Sequence, residues 1–522
     1  MRVALLGCVV LVSIAASAHG APCADGAFVP PLASKGLLDA SLHRIPQQAV
    51  ADYLADVDRV HTFREFEGLN DELQATAVPL EVAAGYPIDM AAGELFDEGF
   101  SDGAHTVYLA AVRSVDAEAL RLVVDLSALG PGDEVWVLDV IAPRAFGPYT
   151  GEDHVAGGRF LATAEGDTAV VMGRSLDGDG PPAVLVGLSH FFVRPMPAKA
   201  LSCNINIACE TDATIQELSS GVAYLTRPSG FSLLTGSGTL INAPDTAALE
   251  AYFLTANHVV GTETAPANIE VYWDFRATGC GLNNAPSLGS LPRSHGDALL
   301  ATDTTLDLTL LELDSVPAGA YGRAYLGWDT RAPVIDENVI GIHHPDNTHM
   351  RISYGRVKLI NQTVEATVPP GGTRTFTNLT RVGWDDGVTE LGSSGSCLLF
   401  DDGTLRIAGA LTTGTTHVCF AGPAVNYDYY SSFRAFFSQI SPAYLSGSDG
   451  EPAYEDPVEP PTGCFGGALR PPGAGGPPLG GDGLMLALPV ALLWWLGRAA
   501  RSRISPPRPA ALPQAGRAAV AL

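Results

Sequence analysis

The chain has 522 residues, 57 of them acidic and 30 basic, for a net charge of −27. That charge argues against a nucleic-acid partner, where a basic face is expected, and favours the approach of cationic substrates. A hydrophobic content of 46% with 17% charged residues excludes a disordered chain and leaves room for two or three domains with sizeable cores.

Residues 1–20 read as a secretory signal peptide: Arg2 supplies the charge, 3–16 the apolar core and Ala16-Ser17-Ala18 a small-residue cleavage site. Export would place the cysteines in an oxidising compartment, where disulfides persist. A separate region spans 21–199. Its first part is mixed, with helix expected over 47–73. Beyond His105, runs at 106–112, 120–126, 135–140, 159–163 and 183–186 read as strands, divided by Gly-Pro-Gly and Asp-Gly turns.

Three segments that carry chemistry follow. A strand-like run over 252–257 delivers His258 as it ends, and Asp307 opens a strand-like run over 307–313. In Glu390-Leu391-Gly392-Ser393-Ser394-Gly395-Ser396, glycines let the backbone turn sharply, so that the amides of Gly392 and Ser394 can point at one spot beside the Ser394 hydroxyl. A serine hydroxyl needs a base to take its proton; an imidazole does this, and a buried carboxylate fixes the imidazole's tautomer. Taken singly, each has a plain alternative: a core histidine, a turn aspartate, a Gly/Ser turn. The order His, Asp, Ser is one of three recurrent triad orders, and each residue stands at a strand end. Around them, 269–275 alternates apolar and polar residues as a half-buried strand should, and short strands broken by Gly, Pro and Asn indicate an antiparallel barrel protein.

From Ser202 to about Phe437 the chain resembles trypsin-like serine proteases of the bacterial lysyl endopeptidase type. The resemblance rests on Ser202-Cys203-Asn204-Ile205-Asn206-Ile207-Ala208-Cys209, on Phe253-Leu254-Thr255-Ala256-Asn257-His258, and on Val271-Tyr272-Trp273-Asp274-Phe275 followed by Cys280. It continues through 307–313, Gly327-Trp328-Asp329, Ile342-His343-His344-Pro345 and 387–396. It implies an all-β fold: a trypsin-like double antiparallel β-barrel protease domain, placed here at 200–445, preceded by a β-rich N-terminal domain. His258 and Asp307 would come from the first barrel, Ser394 and Asp428 from the second, with the cleft between them. A serine endopeptidase is implied, with Gly392 and Ser394 forming the oxyanion hole, protein or peptide substrates and no cofactor; a monomer is expected.

The resemblance also implies the bridges Cys203–Cys419 and Cys209–Cys280, where the sequence alone leaves three pairings for four cysteines. A third family bridge is missing, with Val259 and Leu234 in place of its halves. Cys397, where a Pro commonly follows the nucleophile motif, is expected to be a small buried hydrophobe. Asp428 matches the acidic residue at the base of the family's S1 pocket, which selects Lys or Arg at P1. The strand over 407–413 with Gly414 would form the pocket wall, bringing in Thr412 and Thr413. The family's Tyr-Gly-Arg after this acid reads Tyr430-Ser431-Ser432 here, so a same-fold enzyme with another P1 preference stays open, as does an inactive protease-fold surface binding module. Residues 21–199 are expected to be a pro-region, the turn at 129–133 resembling the β-module ahead of such proteases; a retained binding module is the alternative. Only three of the 30 basic residues are lysines, Lys35, Lys199 and Lys358. Lys199 lies four residues before Cys203, where a Lys-specific enzyme could release its own mature chain; GC-rich codon usage explains the scarcity but not the placement.

Residues 446–483 are rich in Gly, Pro and acids and read as a linker. Residues 484–503 form a hydrophobic anchor or sorting segment with Trp494, Trp495 and then Arg498, Arg501 and Arg503, ahead of a tail at 504–522. The apolar run is short for a membrane span, which needs about 20 residues, and Pro489 interrupts it. With Cys464 ahead of it, this arrangement resembles bacterial C-terminal sorting tags of the myxobacterial type, Cys464 being the attachment point and the arginines staying cytoplasmic; a simple anchor is the alternative. His343-His344 are adjacent and lack ligand spacing, so no metal is expected. The glycine clusters lack nucleotide-binding spacing.

Overall fold

The computed structural model describes residues 47–455, save for 77–79, 98, 102–104, 142–143, 177–182, 193–199, 244–248, 283, 320, 368–371 and 447–448. The expected signal peptide, Lys199, Cys464, the anchor segment, the tail and most of the linker lie outside the described residues. Among the described residues no helix is long and apolar enough to cross a membrane.

The helix expected over 47–73 is divided. A helix spans Gln47–Ala55 and another Asn70–Thr76, with a strand at Val60–Phe63 between them. Val60-His61-Thr62-Phe63 is β-branched and aromatic, and it pairs in parallel with Thr106–Ser114, Val60 opposite Ala111. Of the strand expected over 159–163, only Arg159–Phe160 pairs. Three longer strands of this module were not anticipated, Glu81–Met90, Arg144–Tyr149 and Thr168–Ser175. The module's two sheets face each other across Leu120, Leu122, Val124, Val135, Val137, Val171 and Leu188.

Two closed six-stranded antiparallel barrels follow. In the first, the order is Val222–Ser229, Glu270–Tyr272, Arg293–Asp303, Leu308–Leu313, Tyr252–Thr255 and Ser232–Leu240, which closes back on Val222–Ser229. In the second it is Cys397–Phe400, Asn338–His343, Arg351–Thr367, Thr373–Asp386, Tyr427–Tyr430 and Ile407–Gly414, closed by pairing of the first and last. Leu254, Leu308 and Leu310 of the first barrel share one core with Ile340, Ile342 and Leu399 of the second. The expected double barrel behind a β-rich domain is therefore the observed fold.

The N-terminal module is joined to the first barrel by backbone pairing. Glu81–Met90 pairs with Val184–Phe191 on one side and with Ser232–Leu240 on the other, Ala83 opposite Leu233. This docking corrects the half-buried reading of 269–275: Glu270 and Tyr272, the polar positions of the alternation, are fully buried. The Glu270 carboxylate accepts from the Thr163 hydroxyl at 2.7 Å and the Tyr272 hydroxyl at 2.7 Å, and Arg293 Nη1 lies 3.1 Å away. Arg121 of the N-terminal module approaches it to 3.6 Å.

At the other end, the head of the expected linker is paired. Ala453–Glu455 lies along Arg323–Tyr325, and Asn242 donates to the Glu451 carbonyl at 2.6 Å.

Candidate active site

Tyr252–Thr255 runs antiparallel to Leu308–Leu313 with Thr255 opposite Thr309, so His258 and Asp307 come off neighbouring strand ends. The His258 amide donates to Asp307 Oδ1 at 2.9 Å, and His258 Nδ1 lies 2.8 Å from Oδ2; both residues are buried. Because a carboxylate only accepts, Nδ1 carries the proton and Nε2 is left as the basic nitrogen. Asp307 holds this position with φ of 56°, in the left-handed region that Asp tolerates better than most residues.

Ser394 lies in the loop between Thr373–Asp386 and Cys397–Phe400. That loop is fixed from below by the first barrel: Ser237 N donates to the Ser394 carbonyl at 2.8 Å, and Ser237 Oγ to the Gly392 carbonyl at 2.9 Å. Gly395 N donates to Leu411 O at 2.9 Å, and Ser393 N to Glu390 O at 3.0 Å. Among the described residues no acceptor takes the amides of Gly392 and Ser394, the two read as oxyanion donors. Gly392 has φ of 93°, and a Cβ there would come within 2.9 Å of the His344 carbonyl. His258, Ser394, Glu390, Thr412, Gly414 and Asp428 line one cleft of about 510 Å³.

Asp428 is buried in the lining of that cleft. Its Oδ2 accepts from Trp384 Nε1 at 2.5 Å and Thr389 Oγ1 at 2.6 Å. Its Oδ1 lies against the backbone of Gly414, where there is no room for a Cβ. Thr413 and Gly414 pair with Tyr429 and Asp428 across two antiparallel strands. The Thr412 and Ser431 hydroxyls share a bond of 2.7 Å, and Ser431 Oγ donates on to the Asp307 carbonyl at 3.3 Å. Ser431, where the sequence departs from the family pattern, thus ties the second barrel to the aspartate of the first.

Sequence reasoning missed the partners of Asp428: Trp384, Thr389 and His417. His417 Nε2 lies 3.2 Å from Asp428 Oδ1 without hydrogen-bond alignment, and its Nδ1 contacts the Thr389 carbonyl. Thr389 belongs to the segment that carries Ser394, and His417 stands two residues before Cys419; that proximity to a bridge was the available signal. Glu390, also unassigned, accepts from Leu201 N at 2.8 Å and Asn204 Nδ2 at 2.5 Å.

Both implied bridges are present, Cys203–Cys419 and Cys209–Cys280. Cys397 is a free, buried thiol, as expected, and burial pushes its pKa up to about 11. His343 links Ser393 Oγ at 2.9 Å to Ser353 Oγ at 3.1 Å, and burial holds it well below the ordinary histidine range. His344 stacks on Phe275, ring centroids 5.7 Å apart, and burial brings it to about 3. The pair is a neutral brace beneath the loop that carries Ser394. Among the described residues no cluster of His, Cys, Asp and Glu could hold a metal ion.

Residues 198–431 match the family model of the lysyl endopeptidase C-terminal domain. This segment resembles trypsin-like serine protease domains of the lysyl endopeptidase type. A curated lysyl endopeptidase from Pseudomonas aeruginosa is 30% identical over 250 residues, which cover 46% of this chain and 51% of that protein. The chain thus spans about half the length of that relative. Among solved structures, the chain is similar to the Rv3671c protease from M. tuberculosis in its active form, 14% identical with a TM-score of 0.32, covering 50% of this chain and 95% of that one. It is also similar to the MamO protease domain from Magnetospirillum magneticum, 15% identical with a TM-score of 0.29, covering 43% of this chain and 98% of that one. The matched segment contains His258, Asp307, Ser394 and Asp428.

Proposed function

We propose that the protein is a secreted, monomeric serine endopeptidase that cleaves proteins or peptides after Lys or Arg without a cofactor. Ser394 Oγ attacks the scissile carbonyl while His258 Nε2 takes its proton. Asp307 holds the ring and stabilises the imidazolium that forms. The oxyanion is received by the amides of Gly392 and Ser394, each such donor being worth about 3 kcal/mol. His258 then protonates the leaving amine, and a water activated by the same base releases the acyl group. A basic P1 side chain would reach Asp428 along Thr412, Thr413 and Gly414.

The observation that carries this reading is the His258–Asp307 pair set in the same cleft as Ser394, with the two amides beside Ser394 unspent. An inactive binding module requires none of these together. In the same reading, residues 21–199 are a pro-region removed by cleavage after Lys199, and 484–503 holds the precursor at the membrane. A second reading, retention of the N-terminal module, is favoured by Glu81–Met90 pairing into the barrel sheet.

The test is mass spectrometry of the mature N-terminus for wild type and Ser394→Ala expressed in parallel. Cleavage after Lys199 in wild type, lost in the variant, is expected. Identical processing in both assigns maturation to another protease. No cleavage near Lys199 in either overturns the pro-region and favours the retained module.

A further inference from the structure

We infer that His417 is a specificity-determining residue that competes with the P1 side chain for Asp428, so that a cationic P1 group enters the pocket by displacing one proton from His417. The inference rests on the endopeptidase reading above and concerns the same cleft.

The geometry dictates the protonation of the ring. His417 Nδ1 faces the Thr389 carbonyl, which can only accept, so Nδ1 carries a hydrogen. Nε2 sits 3.2 Å from Asp428 Oδ1, which also only accepts. A neutral ring would set its Nε2 lone pair against a carboxylate, whereas an imidazolium keeps the Nδ1 contact and brings a positive charge to Oδ1. The ring cannot easily turn away. Val418 exchanges two bonds of 2.8 Å with the Asn426 side chain, and Cys419 is tied to Cys203. His417 is itself 8% exposed and Asp428 1%.

The carboxylate has only one oxygen to share. Oδ2 is taken by Trp384 and Thr389, and Oδ1 is the oxygen against Gly414, on the pocket wall. A substrate ammonium reaching Asp428 therefore meets the oxygen that His417 already faces. With His417 protonated, the pocket base is neutral and offers an entering ammonium no net attraction. With His417 neutral, the base is anionic, and an ammonium can donate both to Oδ1 and to the freed Nε2.

The other charged or titratable groups facing His417 are Glu390 on the nucleophile loop and His343 in Asn338–His343, with Asp346 beyond Glu390. Burial opposes the His417 proton, but Asp428 and the carbonyls of Thr389 and Tyr427 outweigh it, so the ring titrates above the ordinary histidine range. The exchange balances as imidazolium plus free ammonium giving neutral imidazole, bound ammonium and one released proton.

The test uses the full chain and n-butylammonium, the lysine side chain beyond Cα, as the probe. Its inhibition constant is read from protection of Ser394 against a fluorophosphonate, with 1-butanol as the neutral control. In wild type the constant should fall about tenfold per pH unit below the His417 titration and level off above it, while that of 1-butanol should not follow. In His417→Ala and His417→Gln the slope should vanish and acid-side affinity should rise. A flat profile in wild type, or an unchanged slope in a folded variant, overturns the inference. If Ser394 is unreactive and no peptide is cleaved, the endopeptidase reading fails instead. Proton release on adding n-butylammonium in weak buffer, about one per bound cation on the acid side, then decides the His417 inference by itself.

Discussion

His258 and Asp307 are joined twice, through the backbone amide of His258 to Oδ1 at 2.9 Å and through Nδ1 to Oδ2 at 2.8 Å. One carboxylate therefore sets both where the chain enters the cleft and how the ring is oriented. Asp307→Asn keeps the size but turns an NH2 toward one of two donors. It should lower kcat by about 10⁴-fold, by loss of the base tautomer, with KM little changed. Asp307→Ala leaves two buried donors unpaired and should in addition cost about 2–4 kcal/mol of stability. Steady-state kinetics on a Lys-P1 peptide and thermal unfolding separate the two effects. Equal activity of Asp307→Asn and wild type would remove Asp307 from the mechanism.

In the proposed reading Gly414 lines the S1 pocket, and a Cβ there would collide with Asp428 Oδ1. Gly414→Val should therefore reduce kcat/KM for Lys- and Arg-P1 peptides by about 100-fold or more, since added bulk at a specificity pocket acts by exclusion. Labelling of Ser394 by a small fluorophosphonate, which does not fill S1, should fall far less. A parallel loss of labelling would show that the variant disturbs the nucleophile loop and not the pocket.

Much of the site was legible because its parts are local in sequence. The apolar runs before His258 and after Asp307 are strands, Tyr252–Thr255 stopping three residues short of His258 and Leu308–Leu313 starting just after Asp307, and the glycines around Ser394 make the tight turn they suggest. The partners of Asp428 were not legible. Trp384, Thr389 and His417 come from three separate elements and meet only when the second barrel closes. The strand Glu81–Met90 was missed because Ala-Ala-Gly-Tyr-Pro has little β character of its own; it is a strand because sheet lies on both sides of it. The same docking explains Glu270 and Tyr272. Their alternation is that of a solvent-facing strand, yet the surface they face is another domain.

Cys397 packs between the barrels with Leu399, Ile340 and Ile342, and burial alone raises its thiol to about 11. The thiolate is the reactive form, so the residue should be inert at pH 8 in the native protein. Peptide mapping after iodoacetamide treatment should find Cys397 unmodified in native protein and alkylated after denaturation in guanidinium chloride. Alkylation of the native chain would mean that the shared core opens on the timescale of the reaction.

The buried carboxylate between the N-terminal module and the first barrel should govern acid stability. Burial by itself would raise the Glu270 pKa; the guanidiniums of Arg121 and Arg293 and the Thr163 hydroxyl outweigh it and bring it down to about 2. A carboxyl whose pKa is lower folded than unfolded binds its proton more readily in the unfolded chain. Its contribution is thus complete above the ordinary carboxylate range and is lost as pH falls from about 5 towards 2. A depression of this size corresponds to about 3 kcal/mol. Glu270→Gln should remove a similar amount at pH 7, leaving Arg121 and Arg293 buried near a neutral amide, and should flatten the acid limb of the stability curve between pH 5 and 2. Urea unfolding of wild type and variant across that range reads both. The double change Arg121→Met with Glu270→Gln should recover part of the loss, because it removes the orphaned charge on the module's side. Equal acid limbs in wild type and Glu270→Gln would mean that the module does not depend on this cluster for its hold on the barrel.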